Sequence, residues 1–156
     1  MHVPHIELDA LHWGPGWEAL PTETFRDAVA EALSGEAWTT DGNYSKARDI
    51  TWGRADTLVW LDYAFPVIIG RLITRTLRRV VTREVLWNDN QETWQGAFFD
   101  RDSLFLWAIK THARRRRQTP QRLQDPAYQH LTVIHLRSPR ATRAWLEQIP
   151  SPQSNI

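Results

Sequence analysis

The chain has 156 residues, 42% apolar and 24% charged, with a net charge of +1 and no cysteine. That length and apolar fraction fit one domain with a core of its own. No apolar run approaches the roughly 20 residues of a membrane-spanning helix, residues 1–5 lack the parts of a signal peptide, and the lack of cysteine excludes disulfides and thiolate metal sites, so a cytoplasmic protein is expected.

In chain order, residues 3–8 read as a strand, and Gly14-Pro15-Gly16 marks a turn before Pro21-Thr22, where a helix can start. Phe25, Val29, Ala32 and Leu33 repeat at helical spacing, with Gly35 placed to end the helix on a left-handed residue. A short strand over 38–41 follows, then an irregular segment over 42–56 and a strand over 57–61. From Pro66 to about Arg83 the spacing is helical again, with Ile68, Leu72 and Ile69, Ile73, Leu77, Val80 as apolar positions. Residues 84–101 are mixed and aromatic (Trp87, Trp94, Phe98, Phe99). A helix is expected over 103–117, a loop over 118–129 broken by Pro120 and Pro126, and a last strand over 131–136. Ser138-Pro139 opens a final helix as N-cap and first position, with Ala141, Trp145 and Ile149 on one face. Such alternation is an α/β order. Residues 1–150 read as one domain and 151–156 as a disordered tail.

The near-neutral total hides an asymmetry: residues 1–65 carry 11 acids and 4 bases, whereas residues 66–156 carry 7 acids and 15 bases. Of the 19 bases, 17 are arginine, whose planar fork suits phosphate or carboxylate. Arg71, Arg75, Arg78 and Arg79 form a stripe opposite the apolar face of their helix. This is either a phosphate clamp or the wet side of an amphipathic helix. Arg114-Arg115-Arg116-Arg117 ends the later helix, where cations also favour the helix dipole.

Three apolar runs each end on aspartate, at Asp9, Asp41 and Asp62, and open parallel sheets place their chemistry beyond the carboxyl ends of their strands. Taken singly, a strand-end aspartate is a turn or cap residue. Three together point to one functional edge.

The string Leu8-Asp9-Ala10-Leu11-His12-Trp13-Gly14-Pro15-Gly16-Trp17, the Asp41-Gly42-Asn43-Tyr44 box, Leu61-Asp62-Tyr63-Ala64-Phe65-Pro66 and the arginine helix resemble the adenylate-kinase-related P-loop proteins called DNA topology modulation proteins. The resemblance covers residues 3–149. It implies a three-layer P-loop kinase-like parallel sheet and a phosphotransferase that binds ATP and Mg²⁺ and moves a phosphoryl group to an unidentified small acceptor. By that resemblance Asp41 is the acid near magnesium, acting through its water, and Arg71, Arg75 and Arg78 act on the transferred phosphate. Asp9, His12 and Trp13 with Gly42, Asn43 and Tyr44 face the acceptor, Arg79 and Arg137 contact the nucleotide, and residues 84–117 form a lid-like insertion.

The chain departs from that pattern at its start, where the family has a strand, a G-x-x-x-x-G-K-[ST] phosphate loop and a helix. None of its glycines, at 14, 16, 35, 42, 53, 70 and 96, is followed by lysine. The family's first strand is central, between the strands at 38–41 and 57–61. Its loss is expected to leave two unpaired edges, poor stability or self-association, and an inactive chain. Met1 is expected to be an internal codon, with the missing segment encoded upstream. The alternatives are a nucleic-acid-binding protein using Arg114 to Arg117 and the Arg71 stripe, and a non-catalytic remnant acting through protein contact. The six histidines form no metal-ligand pattern. Among the nine tryptophans, Trp60 and Trp145 read as core and Trp13, Trp17 and Trp87 as pocket lining.

Overall fold

The computed structural model describes residues 3–93 and 104–149, with the backbone alone over 104–108. The architecture is α/β. β1 (His5–Glu7) runs into α1 (Leu8–His12), and α2 (Thr22–Ala32) leads to β2 (Thr39–Asp41). Next come α3 (Arg48–Arg54), β3 (Thr57–Leu61), α4 (Phe65–Thr82), α5 (Leu104–Arg122), β4 (Thr132–Leu136) and α6 (Pro139–Leu146). β1 and β2 are parallel, with His5 opposite Thr39 and Glu7 opposite Asp41. β3 and β4 are also parallel, from Thr57 opposite Thr132 to Leu61 opposite Leu136. Each pair is a separate two-stranded sheet, so among the described residues neither β2 nor β3 has a second strand partner.

The core follows from helical periodicity. Phe25, Val29 and Leu33 recur every fourth residue of α2 and its C-terminal cap and are fully buried. They close over Leu8 and Ala47, with Ile6, Leu11, Leu20, Trp38, Tyr44 and Ile50 packed around them. α4 is less covered: its apolar stripe is half-buried at Ile68, Ile69, Leu72, Ile73 and Val80, exposed at Leu77, and Thr76 is its one fully buried side chain. Arg83 ends α4 in the left-handed region at φ 50°, where its N–H and that of Glu84 turn back on the last carbonyls. Ser138 caps α6 as the sequence predicts, its Oγ accepting from the Ala141 N–H at 3.1 Å. No helix of the described residues is long and apolar enough to cross a membrane.

Four local expectations are corrected. The strand expected over 3–8 gives way at Leu8 to the short α1, because burial of Leu8 and His12 rewards one helical turn. The segment expected to be irregular over 42–56 holds a 3₁₀ turn at Ser45–Ala47 and then α3, seated by buried Ala47 and Thr51 although its apolar pattern is sparse. Gly35 does not take a left-handed conformation; α2 ends at Leu33 in ordinary backbone geometry. α5 continues past Arg117 and through Pro120 to Arg122, so most of the expected loop is helix up to that residue. Buried Thr119 anchors the last turns, and its hydroxyl donates to the Arg115 carbonyl at 2.9 Å. Trp60 and Trp145, expected in the core, are half-buried. The part of the lid-like insertion at 94–103, including Trp94, Phe98 and Phe99, and the tail at 151–156 lie outside the described residues.

Candidate functional site

At Asp41 the chain leaves β2 and crosses over the end of β1. Gly42 makes the crossing: it has φ +110°, and a Cβ there would stand 2.9 Å from the Leu8 Cβ. Two residues on, the Tyr44 hydroxyl donates to the Asp9 carboxylate, so the carboxyl ends of the two paired strands are tied by a side-chain bond. Burial, reinforced by that bond, pushes the Tyr44 hydroxyl pKa far up, and it stays protonated. Asp41 is also raised, first by loss of solvation and then by Glu7 and Asp9, with His5 opposing. Glu7, opposite Asp41 in the sheet, accepts from the Trp87 indole N–H at 2.9 Å.

His12 closes the inner wall. Its ring is buried against Trp13, Phe25 and Tyr44 at centroid separations of 4.8, 4.9 and 4.5 Å. Burial and the Lys46 charge lower its pKa against the pull of Asp9, so the ring is neutral near pH 7. Its Nδ1 is buried without a hydrogen-bond partner. From the other side, Arg115 of α5 donates to the Asn43 carbonyl at 3.4 Å and Arg48 to the Asn43 Oδ1 at 3.3 Å. The structure thus gathers Asp9, His12, Trp13, Gly42, Asn43 and Tyr44, the residues read from the sequence as acceptor-facing, around Asp41, read there as the acid near magnesium.

The arginines of α4 lie elsewhere. Arg71, Arg75 and Arg78 line a shallow hollow of about 360 Å³ with Gly70 and Thr74, and the Arg71 guanidinium sits 5.1 Å from the Tyr63 ring centroid. Arg78 pairs with Glu84 at 3.1 Å, and Arg79 pairs with Glu92 at 2.9 Å. Arg137 is exposed just beyond β4. Among the described residues, no hydrogen bond or ion pair joins these five arginines to the Asp41 box.

The three strand-end aspartates do not share one edge: Asp62 follows β3, in the other sheet, and is buried, bonding Arg116 Nε at 3.0 Å and His135 Nε2 at 3.0 Å. His135 in turn stacks on Trp60 at 4.0 Å, so Asp62 anchors α5 to the β3–β4 pair. The arginine run therefore divides: Arg116 serves the fold while Arg114 and Arg115 face a cavity shared with Arg48, Trp52 and Arg122. The signal for that cavity is the i, i+4 spacing of Arg48 and Trp52 and the i, i+7 spacing of Arg115 and Arg122, hidden because Arg48 and Trp52 fall in the segment expected to be irregular and Arg122 in the expected loop. Among the described residues, no group of three His, Asp or Glu is placed to hold a metal ion.

No family model, no curated protein and no solved structure matches this chain.

Proposed function

We propose that this chain holds the acceptor of a phosphoryl transfer, as part of an adenylate-kinase-like phosphotransferase whose donor is ATP. The observation that carries the reading is the convergence of Asp9 and Asp41 at the carboxyl ends of two paired parallel strands, with Tyr44 bonded to Asp9. A carboxylate whose pKa is raised by its surroundings is suited to accept a proton from an attacking hydroxyl, which is the role given to Asp41. Asp9 and Tyr44 orient the acceptor, neutral His12 and Trp13 supply an uncharged wall, and Arg115 lies beside the box as a cation. Because Arg78 and Arg79 are already paired with Glu84 and Glu92, phosphate contact on α4 falls first to Arg71 and Arg75.

The residues present do not by themselves fit ATP and Mg²⁺. No Gly-x-x-x-x-Gly-Lys loop occurs in the 156 residues, and among the described residues no group of three His, Asp or Glu is placed to hold a metal ion at Asp41. The reading is tested by titrating the chain with nucleoside monophosphates while following tryptophan fluorescence, Trp13 being the nearest reporter. Saturable binding is expected, weakened about tenfold in Asp9→Asn and in Asp41→Asn as charge-assisted contacts are lost. Absence of saturable binding, or an affinity indifferent to both substitutions, overturns it.

A further inference from the structure

Between α3 and α5 lies a cavity of about 280 Å³ whose wall includes Arg48, Arg114, Arg115 and Arg122. No described residue lining it is acidic. Four guanidinium groups around so small a space repel one another, and the neighbouring arginines add to the effect of burial. The Arg48 pKa is lowered by burial and then by Arg122 and Arg115, and that of Arg115 by burial and then by Arg114. Arginines on a solvated helix face swing apart to relieve such repulsion, but Arg48 is held in place. Its guanidinium stands 5.2 Å from the Trp52 ring centroid, which is braced edge-on by Tyr128 at 5.3 Å, and its Nη2 donates to Asn43. The Arg48 Nε is buried with no hydrogen-bond partner, a donor kept from water inside the molecule. Arg122 is steered by Gln118, whose Oε1 accepts from its Nη2 at 3.1 Å.

We propose that this cavity binds a small phosphate-bearing molecule, with the dianionic phosphate or diphosphate group clamped between Arg48 of α3 and Arg122 of α5. The ligand class follows from the chemistry of the wall. Guanidinium forks match tetrahedral oxyanions with paired N–H donors. The volume lies near the lower end for small-molecule pockets, about 300 Å³, which is room for a phosphate or diphosphate and a short organic remainder. The pocket is partly open, but its small volume holds one phosphate or diphosphate group rather than the length of a nucleic-acid backbone, which needs a continuous groove. The site borders the acceptor box at Asn43, but its clamp, Arg48 and Arg122, is separate from the box, and it stands whether or not the chain holds a phosphoryl acceptor at Asp41.

The test is calorimetric titration of the whole chain at fixed ionic strength with inorganic phosphate, pyrophosphate and glycerol phosphate in separate runs. Saturable binding of one anion per chain and a raised thermal midpoint are expected, and the strongest of the three probes separates a free oxyanion site from a monoester site. Arg48→Met and Arg122→Met should each weaken binding about tenfold or more. Without anion, both variants should melt no lower than the parent, since each removes a repelling charge; where one fails to fold, the other decides. Asp41→Asn should leave anion binding unchanged, which separates this site from the acceptor box. The proposal is overturned if no probe binds, if binding survives in the folded variants, or if a single-stranded oligonucleotide displaces pyrophosphate with steep salt dependence.

Discussion

Gly42 decides whether the acceptor box can form. Its φ of +110° is strained for any side chain, and the nearest atom a new Cβ would meet is the Leu8 Cβ, which lies close to the backbone and has no freedom to move aside. Leu8 is itself part of the buried core, so relief in that direction would open the packing against Phe25 and Val29. Gly42→Ala should therefore cost about 2 kcal/mol or more in urea unfolding. It should also weaken nucleotide binding, because Tyr44 can reach Asp9 only if the chain crosses at this point. An unchanged unfolding midpoint would show that residue 42 does not need the left-handed region. Asp41, Asn43 and Tyr44 are functional candidates by chemistry, whereas Gly42 is one by geometry.

Among the elements, the stretch from Val85 to Gln91 acts as a clamp on the turn that follows α1. Val85 and Gln91 bridge each other, and between them Asn88 and Asp89 adopt positive φ. Asn90 is the fastener: its side-chain amide donates to the Gly14 and Trp87 carbonyls, both at 2.9 Å, while its Oδ1 accepts from the Trp17 N–H at 2.9 Å. Asn88 donates to the Trp13 carbonyl, and the Trp17 indole donates to the Gln91 carbonyl at 3.1 Å. Trp17 and Trp87, expected to line a pocket, spend their indole N–H groups on this clamp and on Glu7. Asn90→Ala would leave the Trp17 N–H and the Gly14 carbonyl without their partner, a loss of about 2 kcal/mol. Hydrogen exchange at residues 14–17 should accelerate in step. A variant with parental stability and exchange would show that the clamp does not hold the turn.

Burial is unequal across the whole molecule. The β1–β2 side carries the core of Leu8, Phe25, Val29, Leu33 and Ala47, whereas the β3–β4 side leaves Leu61 50% exposed and Val81 of α4 74% exposed. Val59, Val133, Leu77 and Leu146 are exposed there as well. Together with the single pairing of β2 and β3, these residues give the molecule apolar surface beside open strand edges, the arrangement that promotes association between chains. Concentration-dependent self-association is expected in sedimentation velocity, with Leu61→Lys shifting the distribution toward monomer. A parent chain that sediments as monomer at every concentration tested would remove this expectation.

Much of the local structure was legible from residue order alone. Helical spacing marked α2 and α4, Ser138-Pro139 marked the start of α6, and the runs ending at Asp41 and Leu61 marked two strands, because periodicity and capping are properties of neighbouring residues. The Asp41-Gly42-Asn43-Tyr44 box was legible as well, since its members are adjacent in sequence. α3 and the end of α5 were not, because their apolar patterns are thin and tertiary contacts at Ala47, Thr51 and Thr119 outweigh local signals such as Pro120. The bond between Tyr44 and Asp9 spans 35 positions, and Arg48 meets Arg122 across the cavity from segments far apart in the chain. The sequence by itself determined the strongly periodic helices, most strands and which charges are available. Only the tertiary structure decided which charges meet: it spent Asp62 and Arg116 on the fold and left Arg48 and Arg122 facing a shared cavity, because long-range proximity is set by packing and not by spacing along the chain.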